Sequence, residues 1–263
     1  MSAHWKLALV TGASSGIGDA MARQLAAAGT DLVVVARNTG RLDQLASELR
    51  DRHQVTVEVL PADLADPQDL RAVERRLGSP PAVDLLVNNA GFGTTGPFVE
   101  ADVDTEEREV AVNVVAPMRL TRAALAPMVA RRSGTILNVS SMASLQAVPN
   151  NATYGASKAF LTQFSESVHE EVRGTGVKVT AVLPGFTRTE FAQRAGMGET
   201  AGMPGFVWQS AEQCAREALD GAAAGHALVV PGRLNKVAVA VAAQVPRGLK
   251  RRLVALMSGR FGL

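Results

Sequence analysis

Short apolar runs alternate with longer stretches of helical period along most of this chain. "KLALVTG" at the start is a β-branched and aliphatic run of the kind that lies buried in a parallel strand. "DAMARQLAAAG" follows with helical spacing and stops at Gly29, "DLVVVAR" supplies a second strand, and "RLDQLASELRDRH" a second helix. "VTVEVLPADL", "VDLLVNNAG", "GTILNVSS", "VKVTAVLPG" and "HALVVPG" continue the strand series, with helical patterns over 66–77, 103–131, 153–173 and 211–224 between them. Alternation of this kind predicts an α/β fold, a doubly wound Rossmann-type arrangement. Right-handed crossovers then place helices on both faces of a central parallel sheet of about seven strands. There is no repeat, low-complexity tract or linker, so residues 1–263 read as one dinucleotide-binding catalytic domain.

Two segments break the rhythm. Residues 187–210, "TRTEFAQRAGMGETAGMPGFVWQS", set large apolar side chains among glycines, the composition of a substrate lid. The plainer alternative is a surface excursion whose aromatics pack on the body. The tail, 246–263, carries Leu249, Leu253, Leu256 and Met257 at helical spacing among Lys250, Arg251, Arg252 and Arg260. Packing of that stripe on the domain or on a partner subunit is favoured over a membrane surface, because one short helix without a second anchor binds bilayers weakly.

Bulk properties narrow the classes. At 263 residues, 47% apolar content and a net charge of +2, the chain is globular and gives no reason to expect nucleic acid as a partner. A single cysteine, Cys214, excludes an internal disulfide framework and suits a reducing compartment. Turn glycines interrupt the first apolar run where a signal core would continue, so the expected location is cytoplasmic. His4, His53, His169 and His226 are scattered without ligand spacing, and no metal site is expected. The carboxylates of "TEEREV", residues 105–110, read as a solvated helix start complementing the dipole.

The chemistry concentrates at strand ends. "TGASSGIGDAMARQL" places Gly12, Gly16 and Gly18 between the first strand and the first helix. Glycines there permit a tight turn, approach of backbone to a ligand and close helix packing, while the helix N-terminus offers free N–H groups to phosphate. The segment lacks the G-K-[ST] ending of an NTP-binding loop, so a dinucleotide is the expected ligand. At the end of the second strand an acid would favour the ribose 2′-hydroxyl of NAD, and an arginine the 2′-phosphate of NADP. "VVVARNTGR" has Arg37 and Asn38 there and no acid, which favours NADP(H); a merely solvated arginine is the alternative. The only tyrosine, Tyr154, precedes Lys158 by four residues in "TYGASKAF", one turn apart on one helix face.

Taken together and in order, these motifs resemble the short-chain dehydrogenase/reductase family over nearly the whole length. "TGASSGIG" is similar to the family's glycine motif, with Ser14, Ser15 and Ile17 beside the glycines. Asp63 and Leu64 of "PADL" resemble the adenine-side pair, and Asn89, Ala90 and Gly91 of "NNAG" the motif after the fourth strand. The resemblance implies Asn113, Ser141, Tyr154 and Lys158 as the catalytic set, and Pro184, Gly185, Thr187 and Thr189 of "PGFTRTE" as the nicotinamide-side loop. Thr187 departs from the aliphatic residue the family often carries. The implied activity is NADP(H)-dependent hydride transfer to or from a small carbonyl or alcohol substrate, in a homo-oligomer (dimer or tetramer).

A phenol of pKa about 10 gives up its proton reluctantly, and an ammonium one turn away stabilises the phenolate. Lys158 is therefore expected to lower the pKa of Tyr154 and, as the resemblance implies, to hold the nicotinamide ribose. Strand alternation admits only one of Ser140 and Ser141 to the site, and Ser141 is preferred. The alternatives in other classes are a dinucleotide-binding sensor without catalysis and a membrane-peripheral reductase of lipid-like ketones.

Overall fold

A computed structural model describes residues 5–191, 205–246, 248–252 and 254–255. In chain order the elements are β1 (Leu7–Thr11), α1 (Gly16–Ala27), β2 (Asp31–Ala36), α2 (Thr39–His53), β3 (Val57–Pro61), α3 (Pro67–Leu77) and β4 (Leu85–Asn88). Next come α4 (Val103–Val110), a π-helical turn (Ala111–Val115), α5 (Ala116–Ala130), β5 (Gly134–Val139), α6 (Ala152–Glu171) and β6 (Val177–Val182). After the short strands β7 (Thr187–Arg188) and β8 (Gln209–Ser210) follow α7 (Ala211–Ala224), β9 (Leu228–Val229) and α8 (Arg233–Ala243).

Seven strands form one sheet in the order β3-β2-β1-β4-β5-β6-β9, every pair parallel. The fold is α/β and doubly wound. The strands read as unbroken apolar runs because both faces are covered. Ala8 and Val10 of β1 point into a core with α1, α2 and α7, while Leu7 and Leu9 point into a second core with α3, α5 and α6. Helix starts follow local chemistry: Asn38 Oδ1 accepts from Arg41 N at 3.0 Å, and Asp66 Oδ1 accepts from Gln68 N at 2.7 Å just before Pro67. The strand order reverses between β1 and β4, and ligands of open parallel sheets bind outside the carboxyl ends at such a point.

The structure departs from the sequence reading in three places. Helix α1 begins at Gly16 rather than after the glycines, because the glycine turn itself runs into the first helical turn. The 103–131 helix contains the π-turn at Ala111–Val115, which composition does not announce. "VAVAVAA", which the strand and helix series leaves unassigned, lies within α8. Among the described residues no helix is long and apolar enough to cross a membrane.

Candidate active site

The turn between β1 and α1 is a cradle that side chains would fill. Gly12 and Gly16 adopt φ of +66° and +61°, where a β-carbon is strained. A β-carbon on Gly18 would stand 2.4 Å from both Asn89 Nδ2 and the carbonyl oxygen of Gly12. Ser15 occupies the N-cap of α1, whose first-turn N–H groups are of the kind that bind an anion at a helix start. Ser14 is half-buried in the turn, and Ile17 packs against the core.

Asn89 closes the cradle from β4, donating to the carbonyls of Thr11 at 2.9 Å and Gly12 at 3.2 Å. Thr11, which the sequence reading passed over, ties the two strand ends together. Its buried Oγ1 donates to Val87 O at 3.1 Å and accepts from the N–H groups of Asn89 and Ala90, each at 3.0 Å. These residues fit the pyrophosphate of a dinucleotide.

At the β2 end Arg37 and Asn38 are both exposed. The Asn38 side chain is engaged as the α2 cap. Arg41, one turn further on, pairs with Glu190 at 2.8 Å and bridges the α2 start to the loop after β6. Asp63 is held by Arg108 and accepts from Ala65 N at 3.1 Å, and the Leu64 side chain lies in the core. An adenine could therefore meet Asp63 and the Leu64 backbone beside an existing ion pair.

The ends of β5, α6 and the π-turn converge. The Ser141 hydroxyl stands near the Tyr154 phenol and favours its ionised form. Ser140 turns the other way: its Oγ donates to Lys158 O at 2.8 Å and lies 2.7 Å from Thr162 Oγ1, in the interior. Lys158 donates from Nζ to Val139 O at 3.0 Å, and that nitrogen lies 5.8 Å from the centre of the Tyr154 ring. Asn113, buried in the π-turn, donates to Phe92 O at 2.8 Å and Ser157 Oγ at 3.1 Å, and accepts from Phe92 N at 3.2 Å. Gly91 makes room for the group, since a β-carbon there would stand 2.9 Å from Asn113 Oδ1 and 3.2 Å from Lys158 Nζ. Gly93 does the same for the tyrosine, at 2.8 Å from Cδ2.

The electrostatics correct one expectation. Burial pushes the Tyr154 phenol up to about 12, against the opposing Ser141 hydrogen bond, and the nearby Glu109 carboxylate adds to the rise. Burial pushes Lys158 down to about 8, against the attraction of Glu109. Dehydration of the two groups outweighs the stabilisation of the phenolate that four-residue spacing suggests.

Glu109 itself overturns the solvated reading of "TEEREV". Glu107 and Arg108 are exposed, but Glu109 points inward, and burial pushes its carboxyl up to about 7. Its partner there is Thr94, on a loop that helix periodicity does not register.

The loop after β6 lies across the cradle. Pro184 O accepts from Met142 N at 3.0 Å, and Gly185 abuts Asn235. Thr187 Oγ1 donates to Gly185 O at 3.0 Å and accepts from Gln209 Nε2 at 3.1 Å, in the short β7–β8 pair. Thr189 Cγ2 lies 3.1 Å from where a Gly16 β-carbon would be. Phe191 packs on Tyr154 with ring centres 5.4 Å apart, and Phe186 on Trp208 at 5.5 Å. Most of the lid segment, 192–204, and much of the tail, 247, 253 and 256–263, lie outside the described residues. Among the described residues no cluster of three or more histidine, cysteine or carboxylate side chains could hold a metal ion.

A family model described as short chain dehydrogenase matches residues 6–199. A "Dehydrogenase/reductase SDR family protein 7-like" of Anopheles gambiae is 34% identical over 201 residues, which cover 74% of this chain but only 63% of the mosquito protein, less than two thirds of its length.

Two solved structures superpose closely. A short-chain dehydrogenase from Sphingobium yanoikuyae in complex with NADPH matches at TM-score 0.82 and 35% identity, covering 92% of this chain and 96% of that one. The bulky-bulky ketone specific alcohol dehydrogenase from Comamonas testosteroni matches at TM-score 0.79 and 32% identity, covering 93% and 96%. With the family model matching well over half of the sequence, the chain belongs to the short-chain dehydrogenase/reductase family of nicotinamide-dependent oxidoreductases.

Proposed function

We propose that the chain is an NADPH-dependent reductase of ketones or aldehydes, able to run in reverse as an alcohol dehydrogenase, with Tyr154 as the proton donor. One observation carries the reading: the chain's only tyrosine stands near Ser141 and one turn from Lys158, beside a glycine cradle that suits phosphate. The nicotinamide, when bound, supplies hydride to the carbonyl carbon. The phenol of Tyr154 donates its proton to the carbonyl oxygen. The alkoxide that develops is a stronger base than a phenolate, so the transfer proceeds even from a phenol pushed upward by burial.

Ser141 presents a fixed hydroxyl dipole where negative charge grows on the oxygen. The Lys158 ammonium stabilises the phenolate left behind and would hold the nicotinamide ribose, while Asn113 fixes the π-turn against Phe92 and α6. Gly12, Ser14, Ser15, Gly16, Ile17 and Gly18 would take the pyrophosphate. Asp63 and Leu64 would meet the adenine, and Asn89, Ala90 and Gly91 the adjoining ribose. Pro184, Gly185, Thr187 and Thr189 would face the carboxamide. Arg37 would take the 2′-phosphate, a choice supported by the NADPH in the Sphingobium structure.

Phe191 on Tyr154, and the Phe186–Trp208 pair flanking the same loop, favour bulky apolar ketones, in line with the Comamonas enzyme's description. A homo-oligomer, dimer or tetramer, is part of the reading, since Val115, Met118 and Phe160 on the α5–α6 side are exposed apolar groups. NADPH consumption against a panel of ketones graded by bulk tests the activity, and sedimentation tests the assembly. Turnover of bulky aryl ketones is expected; no consumption with any ketone or aldehyde, and no reverse reaction with the alcohols, would defeat the reading.

A further inference from the structure

Behind the Asn113–Ser141–Tyr154–Lys158 group lies a second, unassigned cluster. Glu109, at the last turn of α4, is 0% exposed. Its Oε2 accepts from Thr94 N and from Thr94 Oγ1, both at 3.0 Å, and its Oε1 lies 3.5 Å from Asn113 Nδ2. Thr94 Oγ1 also lies 2.6 Å from Glu106 Oε1. A threonine hydroxyl has one proton to donate. Two carboxylate oxygens around that hydroxyl therefore need a second proton between them. Glu106 is half-exposed and Glu109 enclosed, so Glu109 is where a shared proton costs least to keep.

The ionisable groups facing Glu109 are few. Glu106 shares its own helix and repels its charge; Lys158 of α6 attracts it; and Tyr154 of α6 feels that charge in turn. We propose that Glu109, Thr94 and Glu106 form a proton-holding triad through which Glu109 exchanges its proton with solvent and so sets the charge opposite Lys158. The transfer balances without any redox partner. The Glu109 O–H bond breaks as its proton passes to Thr94 Oγ1, the proton already on Thr94 passes to the Glu106 carboxylate, and Glu106 releases it to water. Ionised Glu109 holds Lys158 in the ammonium form and makes Tyr154 a weaker acid; neutral Glu109 relaxes both effects. Glu109 is thus a positioning residue acting through Lys158, and its effect on turnover rests on the reading of Tyr154 as proton donor.

The test uses the full chain and reads protonation directly as well as rate. In 13C-carboxyl-labelled protein, with the Glu109 signal assigned by its loss in Glu109→Gln, that carboxyl is expected to titrate near 7. Glu106→Gln removes a repelling charge and should move the titration down, and Thr94→Val removes a hydroxyl that stabilises the anion and should move it up, each by about one unit. The Lys158 ammonium, followed by 15N, should titrate lower in Glu109→Gln. In kcat against pH the step near neutrality should vanish in Glu109→Gln and move with the carboxyl in the other two variants, while NADPH affinity holds.

Titration of Glu109 in the ordinary carboxylate range, or opposite variants that leave it fixed, would overturn the triad. An unmoved Lys158, or a Glu109→Gln rate profile superimposable on the wild type, would overturn its coupling to the site. If Glu109→Gln fails to fold, Glu109→Asp supplies the assignment, and Glu106→Gln and Thr94→Val decide the matter. If no carbonyl is turned over, the two titrations still decide for or against the triad.

Discussion

Lys158 donates from Nζ to the carbonyl of Val139 at 3.0 Å, which anchors the ammonium to the last residue of β5, two positions before Ser141. One strand end thus carries the hydroxyl that meets Tyr154 and fixes the lysine one turn along α6. Tyr154 and Lys158 are held on α6 against the end of β5, with Phe191 of the overlying loop packed on the tyrosine ring. Four consequences can be measured.

The proposed cofactor choice rests on Arg37. Its exposed guanidinium at the β2 end would pair with a 2′-phosphate, and a hydrogen bond to a charged group is worth about 1.5–3 kcal/mol. The wild type should then bind NADPH at least about 10-fold more tightly than NADH. Arg37→Asp repels the phosphate and offers an acceptor to a 2′-hydroxyl, so preference should move toward NADH. Fluorescence titration of both reduced cofactors against both proteins reads the difference. Equal affinities in the wild type would reduce Arg37 to a solvated arginine.

The glycine cradle makes a stability prediction. A β-carbon at Gly18 would stand 2.4 Å from the Gly12 carbonyl, which is backbone and cannot swing away. Gly18→Ala should cost about 1–3 kcal/mol by overpacking and weaken dinucleotide binding as Asn89 is displaced. Denaturant unfolding with and without NADPH separates the two effects. An alanine variant with unchanged midpoint and affinity would mean that the turn tolerates a side chain.

Buried charges set the pH dependence of stability in the nucleotide-free chain. Lys158 is pushed from 10.5 down to about 8, so between those values the unfolded chain holds a proton that the folded chain has released. Stability should rise with pH across that window, by at most roughly 3 kcal/mol. Tyr154, raised to about 12, opposes the rise above pH 10, where the unfolded phenol ionises first. Glu109, raised from 4.5 to about 7, acts in a lower window: the folded chain binds more protons there, and stability falls as pH rises through it. Urea unfolding from pH 5 to 10 should show both limbs; Lys158→Met should flatten the upper and Glu109→Gln the lower. Variants that track the wild type across both windows would remove these two groups as the cause.

Much of the architecture is legible in the sequence because a parallel sheet covered on both faces demands unbroken apolar runs, and β1, β2, β5 and β6 supply them. The motifs are legible because a strand end followed by a helix leaves few residues that can face a ligand. What escapes depends on distant partners. Arg41 meets Glu190 across 149 residues, and nothing local marks either. Glu109 looks like its exposed neighbours until the Thr94 loop folds over it. The π-turn that carries Asn113 has the composition of an ordinary apolar helix. The alternating "VAVAVAA" of α8 has strand period and helical structure, and Val237 and Val241 stand exposed on a helix that buries none of its residues.

The central claim is that the phenolic proton of Tyr154 is the one transferred, and single-turnover mixing of the NADPH complex with a bulky ketone tests it most directly. Tyr154→Phe keeps the ring against Phe191 and the fold around it, and removes only the hydroxyl that meets Ser141. General acid catalysis contributes typically about 10²–10⁴-fold. The variant should therefore bind NADPH like the wild type while the nicotinamide absorbance decays at least about 100-fold more slowly. Decay at the wild-type rate in a folded, NADPH-saturated Tyr154→Phe protein would contradict the account.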